Sequence, residues 1–387
     1  MADDAAAAAT TATQRRAWPG GFLVAGLIPV VAAAILYYHL DPLDPSLLPL
    51  RYDLTRRSLA APVVEGRMLR GSELVGAGAV EGPEDLAYEP EEGVIYTGCV
   101  DGWIKRVSVE SAAVENWVRV GGRPLGLAFG KHKELIVAHP DQGVLNISRD
   151  GAAVEVLTAE AEGVRFGLTD GVAVAEDGVV YFTDASSKYG MTEYVYDFLE
   201  GRPYGRLLSY DPSTRRTLVL LRGLYFANGV AVTPDQNAVV FCETAMMRCR
   251  RYYVRGEKKG RVEGLVDHLP GLPDNIHYDG EGRFWIALFT GMTWFRETTC
   301  KHPHLRKVIA ILERRGLWPA FEGHGGVVAV DAAEGKPLAY FYDAGLAMFT
   351  GALKLGDRLY CASFRHPHLF RFNLTRPIPT RADALHG

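Results

Sequence analysis

Cysteine is scarce and unpatterned. The 387 residues contain five (Cys99, Cys242, Cys249, Cys300, Cys361), an odd number with no C-x-x-C pair, which disfavours a disulfide scaffold and a cysteine-based zinc site. The chain also lacks a long Lys/Arg block, and its formal net charge is −4. That excludes a nucleic-acid partner, which needs a concentrated basic surface. No helical period alternates with the β-like runs of the body, so a doubly wound α/β architecture does not fit. What is abundant is apolar residue (48%) and glycine (42 residues), against 23% charged. The first two rule out a mainly disordered chain, and the glycine surplus over the usual ~7% demands many tight turns or close backbone approaches.

The N-terminus reads as a targeting device. Residues 1–21 form an Ala/Thr-rich tail containing Arg15-Arg16, and an uncharged stretch follows from Phe22 to Tyr38, then Asp41 and Asp44. At about 1.5 Å per helical residue, 22–38 is slightly short of a ~30 Å hydrocarbon core. Trp18 and Tyr37-Tyr38 supply interfacial aromatics, and basic-before, acidic-after flanks predict a cytoplasmic tail and a luminal body. One reading is a type II signal-anchor. The other is a cleaved signal peptide, with Ala32-Ala33-Ala34 as the small-residue site. Both send the body into the endomembrane system, endoplasmic reticulum or vacuole, and the sequons at Asn146 and Asn373 are compatible with glycosylation there. Residues 39–75 are expected to be a linker, 76–376 one repeat domain and 377–387 a tail.

The domain repeats. Six runs rich in aromatic and β-branched residues are bounded by turn residues, and Ile95, Ile136, Tyr181, Val240, Trp285 and Tyr360 mark equivalent positions in them. The spacings are 41, 45, 59, 45 and 75, a basal period near 45 with two insertions. About four strands per unit and six units make an all-β, six-bladed propeller. A second motif precedes each run at 10 to 12 residues, placing Glu84, Leu125, Thr169, Asn228, Asp274 and Thr350 in one register. The strand opening each blade lines the central channel, so these six should ring one mouth of it. The following residues are Asp85, Gly126, Asp170, Gly229, Asn275 and Gly351. Carboxylate and amide oxygens gathered from several blades suit Ca²⁺, while turn capping by Asp and Asn is the alternative for each residue taken singly.

The stretch 181–235, YFTDASSKYGMTEYVYDFLEGRPYGRLLSYDPSTRRTLVLLRGLYFANGVAVTPD, resembles the strictosidine synthase-like family of plants. That family is related to the adipocyte plasma membrane-associated proteins of animals and to paraoxonases. The resemblance covers roughly residues 75–375. It implies a six-bladed propeller, a membrane-anchored or luminal location, and a catalytic Ca²⁺. The implied ligands are Glu84 in Glu84-Asp85-Leu86, Asn228 in Phe226-Ala227-Asn228-Gly229, the pair Asp274-Asn275, and Thr169 where the paraoxonase-like pattern has Asn. Asp85 and Asp170 correspond to a second, structural calcium site. His139 matches one histidine of a paraoxonase-like pair, implying a general base, while Leu125 stands in place of the other. Thr350 occupies the position of the strictosidine synthase glutamate, and a hydroxyl does not act as that base at neutral pH.

Three functions follow. The first is a Ca²⁺-dependent lactonase or esterase acting on a small-molecule substrate, with Asp274 as nucleophile or base. The second is a condensing enzyme of alkaloid metabolism joining tryptamine to secologanin, which Thr350 disfavours. The third is a non-catalytic luminal binding protein. The insertion 291–325 is expected to carry a short amphipathic helix with Leu305, Val308, Ile309 and Leu312 on its buried face, roofing the mouth or touching a membrane. The insertion 188–204 should form another wall.

Overall fold

The computed structural model describes residues 19–49, 63–65, 71–317, 323–343, 345 and 348–374. They divide into two units, 1–44 and 45–387. The first unit contains helix α1 (Pro19–Leu40), longer at both ends than the apolar stretch predicts. From Leu27 onward its large apolar side chains, Leu27, Ile28, Val30, Val31, Ile35, Leu36 and Leu40 among them, are exposed. Among the described residues no helix is long and apolar enough to cross a membrane.

The second unit is a six-bladed β-propeller. Blades 1 to 6 span 86–119, 127–158, 169–224, 227–266, 271–342 and 349–373, and all six reference residues of the repeat fall on the second strand of their blades. Each blade is an antiparallel meander counted outward from the channel. Second strands such as Leu135–His139, Val180–Asp184 and Ala238–Glu243 are buried along their whole length, whereas the outer strand Val154–Thr158 of blade 2 is largely exposed. That gradient explains why the sequence signal is strongest on second strands: they face a neighbouring blade on both sides and read as near-continuous apolar runs. The core consists of apolar layers between adjacent blades. One of them joins Leu86, Ile95 and Val107 of blade 1 to Leu353, Tyr360 and Leu369 of blade 6, so the ring is closed.

Closure uses residues that the sequence reading assigns to a linker. Blade 6 has only three strands of its own, and Glu73–Val75 completes it as the outermost strand, antiparallel to Leu369–Asn373. Val63–Glu65 adds a fifth, parallel strand to blade 5. Three-residue strands are too short to show a period of two, which is why the pattern misses them. The disfavoured disulfide is present: Cys242 and Cys249 are linked. They lie directly opposite each other on the second and third strands of blade 4, a proximity set by the hairpin rather than by any sequence motif.

Two insertions form helices at one end of the propeller. The segment between the second and third strands of blade 3 carries α2 (Tyr194–Glu200), and the same position in blade 5 carries α3 (Trp294–Lys301) and α4 (Pro303–Glu313). Second strands run antiparallel to first strands, so these loops leave the sheet at the end where the first strands begin. The amphipathic face of α4 differs from the expected one. Arg306, Ile309 and Ala310 are buried while Val308 is 42% exposed. The cause is polar: Arg306 donates to the carbonyls of Leu199 and Ser46, and Glu313 accepts from Tyr196, so two polar residues hold the inner face.

Candidate metal centre and its aromatic mouth

The six ring residues come together as the register predicts. First strands in blades 3 to 6 are irregular near their start, with register shifts between Thr169 and Val172, Ala227 and Val230, Pro273 and Ile276, and Phe349 and Gly351. A bulge lets two successive residues crowd toward the axis instead of alternating sides. Neighbouring first strands approach so closely there that only glycine fits: a Cβ on Gly229 would lie 2.5 Å from the carbonyl oxygen of Asp274, and one on Gly171 2.7 Å from that of Asn228. The glycine surplus is therefore partly a property of the channel wall.

The side chains are buried and braced across blades. Asn275 Nδ2 donates to Glu84 Oε1 at 3.0 Å, joining blade 5 to the segment leading into blade 1. Thr350 Oγ1 donates to the Glu84 carbonyl at 2.6 Å. Asp85 is fully engaged, with Oδ2 accepting from the Leu127 N–H at 3.0 Å and Oδ1 meeting His277 Nε2 at 2.6 Å. Behind Thr169, Asp184 accepts from the N–H groups of Gly167 and Leu168 and from Arg206 Nε and Nη2 at 2.9 and 2.7 Å. This fixes the strand start that presents Thr169 and Asp170.

Within the ring, four side-chain oxygens are buried with no hydrogen-bond partner among the described residues: Glu84 Oε2, Thr169 Oγ1, Asn228 Oδ1 and Asp274 Oδ1. They come from four of the five residues expected to hold a metal, and the fifth, Asn275, is the brace on Glu84. Buried oxygens without donors cost roughly 1–3 kcal/mol each, so a cation or donor that met this set of four would be favoured. Burial, then repulsion from Asp274, Asp85 and Asp170, pushes the Glu84 carboxyl well above its usual range, with Arg123 opposing. Burial and then Asp170 and Asp85 push Asp274 up likewise, and Asp170 is raised to about 8 by burial and then Asp85 and Asp184. Two carboxylates, an amide and a hydroxyl form a hard, all-oxygen donor set that fits Ca²⁺. No three His, Cys, Asp or Glu side chains among the described residues form a metal cage, so the amide and hydroxyl oxygens are essential to this reading. Asp85 fits a second cation poorly, because both its oxygens already have donors.

His139 lies apart from this chemistry. Its Nδ1 accepts from the Asp141 N–H at 3.2 Å, which places the proton on Nε2, 3.1 Å from the Gly121 carbonyl. With both nitrogens engaged and burial lowering its pKa, it has no lone pair to offer a substrate. Leu125, in place of the second histidine, packs with Leu168 and Phe226 in an apolar cluster. The sequons sit on strands: Asn146 is half-buried with Nδ2 donating to Glu155 at 2.9 Å, and Asn373 is the last residue of its strand.

Sequence reasoning picks out the insertion 188–204 as a wall but not the aromatics of other blades that meet it. Tyr194 and Phe198 on α2 stack against Phe364 and Phe226, with ring centroids 6.5 and 4.3 Å apart, and Phe289 meets Phe364 at 6.1 Å. Tyr189 and Tyr204 instead bind Glu200 Oε2 together with Lys188, anchoring the α2 insertion. These aromatics come from three blades and an insertion, and no local spacing links them.

Family models for strictosidine synthase and for the strictosidine synthase-like N-terminal region match residues 170–257 and 67–107. The chain is 48% identical to strictosidine synthase-like 6 of Arabidopsis thaliana over 92% of its length and 96% of that protein. It is 31% identical to adipocyte plasma membrane-associated protein of Bos taurus, covering 90% and 88% of the two chains. Among solved structures it resembles a gluconolactonase from Xanthomonas campestris (TM-score 0.58, 16% identity, 86% of this chain and 99% of that one). It also resembles the calcium-binding protein regucalcin from Agrobacterium tumefaciens (TM-score 0.55, 16% identity, 82% and 98%). At these identities the two structures speak to the fold.

Proposed function

The chain belongs to the strictosidine synthase-like family, and on that premise we propose that it is a Ca²⁺-assisted hydrolase of ester or lactone bonds. The observation that carries this is the set of four unpartnered buried oxygens on Glu84, Thr169, Asn228 and Asp274. The names of the gluconolactonase and regucalcin neighbours agree with it. When bound at such oxygens, calcium supplies Lewis-acid polarisation of a carbonyl and stabilises the charge that develops on its oxygen.

The chain's own residues divide the remaining work. Asn275 holds Glu84 in place through Oε1, leaving Oε2 for the cation. With Oδ1 given to the cation, the second Asp274 oxygen takes a proton from the attacking water and returns it to the alkoxide that leaves as the ester C–O bond breaks. The aromatic walls exclude bulk water and accept the apolar part of a substrate. A condensing reaction of the strictosidine type has no base here, because the Thr350 hydroxyl is committed to the Glu84 carbonyl. Location follows the same premise: exposed apolar residues of α1 and the buried Cys242–Cys249 disulfide support a membrane-anchored protein with its body in an oxidising lumen. Protease protection of the propeller in sealed microsomes is the expected result, and digestion without detergent would exclude that topology.

The enzymatic test is hydrolysis of a panel of lactones and aryl esters with and without chelator. Chelator-sensitive turnover restored by Ca²⁺ is expected, and turnover that ignores chelator would overturn the proposal. His139→Gln is expected to leave kcat and its pH profile unchanged, since both nitrogens serve the blade-2 loop.

The pH dependence has a definite sign. Asp170, Asp274 and Glu84 have folded-state pKa values above their unfolded ones, so the metal-free fold binds more protons than the unfolded chain. Their contribution is favourable below about pH 4 and is lost as pH rises toward about 8, the value for Asp170. Cation binding displaces those protons, so its stabilisation runs the opposite way. The rise in Tm on adding Ca²⁺ should therefore be larger at pH 8 than at pH 5.5. An increment that shrinks with pH would count against carboxylate ligation.

A further inference from the structure

Arg123 stands on the loop between blades 1 and 2 and is held in one place. Its Nη2 donates to the carbonyls of Gly82 and Phe364 at 3.0 and 3.2 Å, and its guanidinium carbon lies 3.2 Å from the centroid of the Phe364 ring. Its Nε is buried without a partner among the described residues. Its charged and polar neighbours are Glu84 of the ring and Tyr194 of α2, and Tyr194 in turn feels Asp274. Burial lowers the guanidinium pKa to about 10, which leaves it charged at neutral pH, and raises the Tyr194 phenol to about 12, which keeps its O–H a donor. A fixed cation, a phenol and an aromatic face therefore border the space above the ring.

Charge counting gives this arrangement a purpose. Asp85 Oδ1 contacts His277 Nε2 at 2.6 Å, burial and then Asp85 and Asp184 raise the Asp170 pKa, and a divalent cation held by Glu84 and Asp274 would cancel their two charges. Arg123 then keeps a positive charge while Glu84, its carboxylate neighbour among the described residues, is neutralised, beside the rings of Phe364 and Tyr194. A buried or half-buried charge in that position is stabilised by an anion from the ligand. Resting on the hydrolase reading, we infer that the mouth selects apolar, ring-bearing esters or lactones that carry a carboxylate, with Arg123 as the specificity-determining residue that receives it. Nη1 is the nitrogen left for the role, since Nη2 serves two backbone carbonyls and Nε is buried, and its N–H groups make a charge-assisted hydrogen bond to one carboxylate oxygen.

Binding, not turnover, tests this. The detergent-solubilised full chain, loaded with Ca²⁺, is titrated with 1-naphthoate and with its neutral isostere 1-naphthamide. Naphthoate is expected to bind at least tenfold more tightly. Arg123→Gln should erase that ratio while leaving naphthamide affinity unchanged, and Arg123→Lys should retain part of it. Equal affinities in the wild type, binding of neither probe, or a preference that survives Arg123→Gln would overturn the inference. Should Arg123→Gln fail to fold, the wild-type ratio and Arg123→Lys still decide it. Selective binding in a protein that hydrolyses no ester would sink the hydrolase reading alone, whereas hydrolysis with no carboxylate preference would sink this one alone.

Discussion

Replacing Asp274 by Ala is expected to abolish Ca²⁺ binding and lower ester or lactone turnover by about 10²- to 10³-fold, the range seen when one charge-stabilising group is removed from an active site. Asp274 contributes two things, Oδ1 to the cation and a proton acceptor at its second oxygen, so both ground-state assembly and chemistry fail together. The effect on folding runs the other way. In the metal-free protein Asp274 is a buried carboxyl repelled by Asp170 and Asp85, so removing it relieves strain in the ring. The variant should match or exceed the wild type in Tm without metal, and it should show no Tm increment with Ca²⁺. Asp274→Asn separates the two contributions: it keeps an oxygen ligand and loses the base, so residual Ca²⁺ binding without turnover is expected. An Asp274→Ala protein with wild-type kcat would show that the orphaned oxygens have no part in catalysis.

The second large effect is structural. Arg206 and Asp184 form a buried pair behind the ring, with side-chain exposures of 4% and 0%. Asp184 also accepts the N–H groups of Gly167 and Leu168, which set where Thr169 and Asp170 begin. Removing one partner leaves an uncompensated buried charge, which costs about 3–5 kcal/mol. Arg206→Leu and Asp184→Ala should each lower the denaturant midpoint by an amount of that order, and Ca²⁺ affinity should fall with them because Thr169 loses its mooring. Replacing both at once with Leu should recover much of the stability but not the affinity, because no acceptor remains for Gly167 and Leu168. A single variant with an unchanged midpoint would mean that the pair is neutral to folding.

The repeat was legible because a propeller writes one physical demand six times. Every second strand is buried on both faces, and every first strand starts at the axis, so Ile95 to Tyr360 and Glu84 to Thr350 keep their register despite large insertions. The ring's polar residues stood out for the same reason, since Glu, Asn and Asp at apolar strand starts violate the local pattern. What escaped was long-range or short. Glu73–Val75 is three residues long and pairs with a strand nearly 300 positions away. Phe289, Phe364, Phe226 and Tyr194 meet only because the ring closes. The Cys242–Cys249 link needed the hairpin register, and the inner face of α4 was misread because Arg306, polar by type, is buried by its partners and Glu313 is held by Tyr196. His139 shows the converse limit: a motif match singled it out, yet only its hydrogen bonds reveal that it is occupied.

The central claim is that Glu84, Thr169, Asn228 and Asp274 hold one calcium ion. Calorimetric titration of the chelator-stripped full chain with CaCl₂ tests it most directly, with Asn228→Leu run alongside. The account predicts saturable binding of one Ca²⁺ per chain, proton release that varies with buffer, and loss of the signal in Asn228→Leu. No binding heat in the wild type, or the same heat in Asn228→Leu, would contradict it.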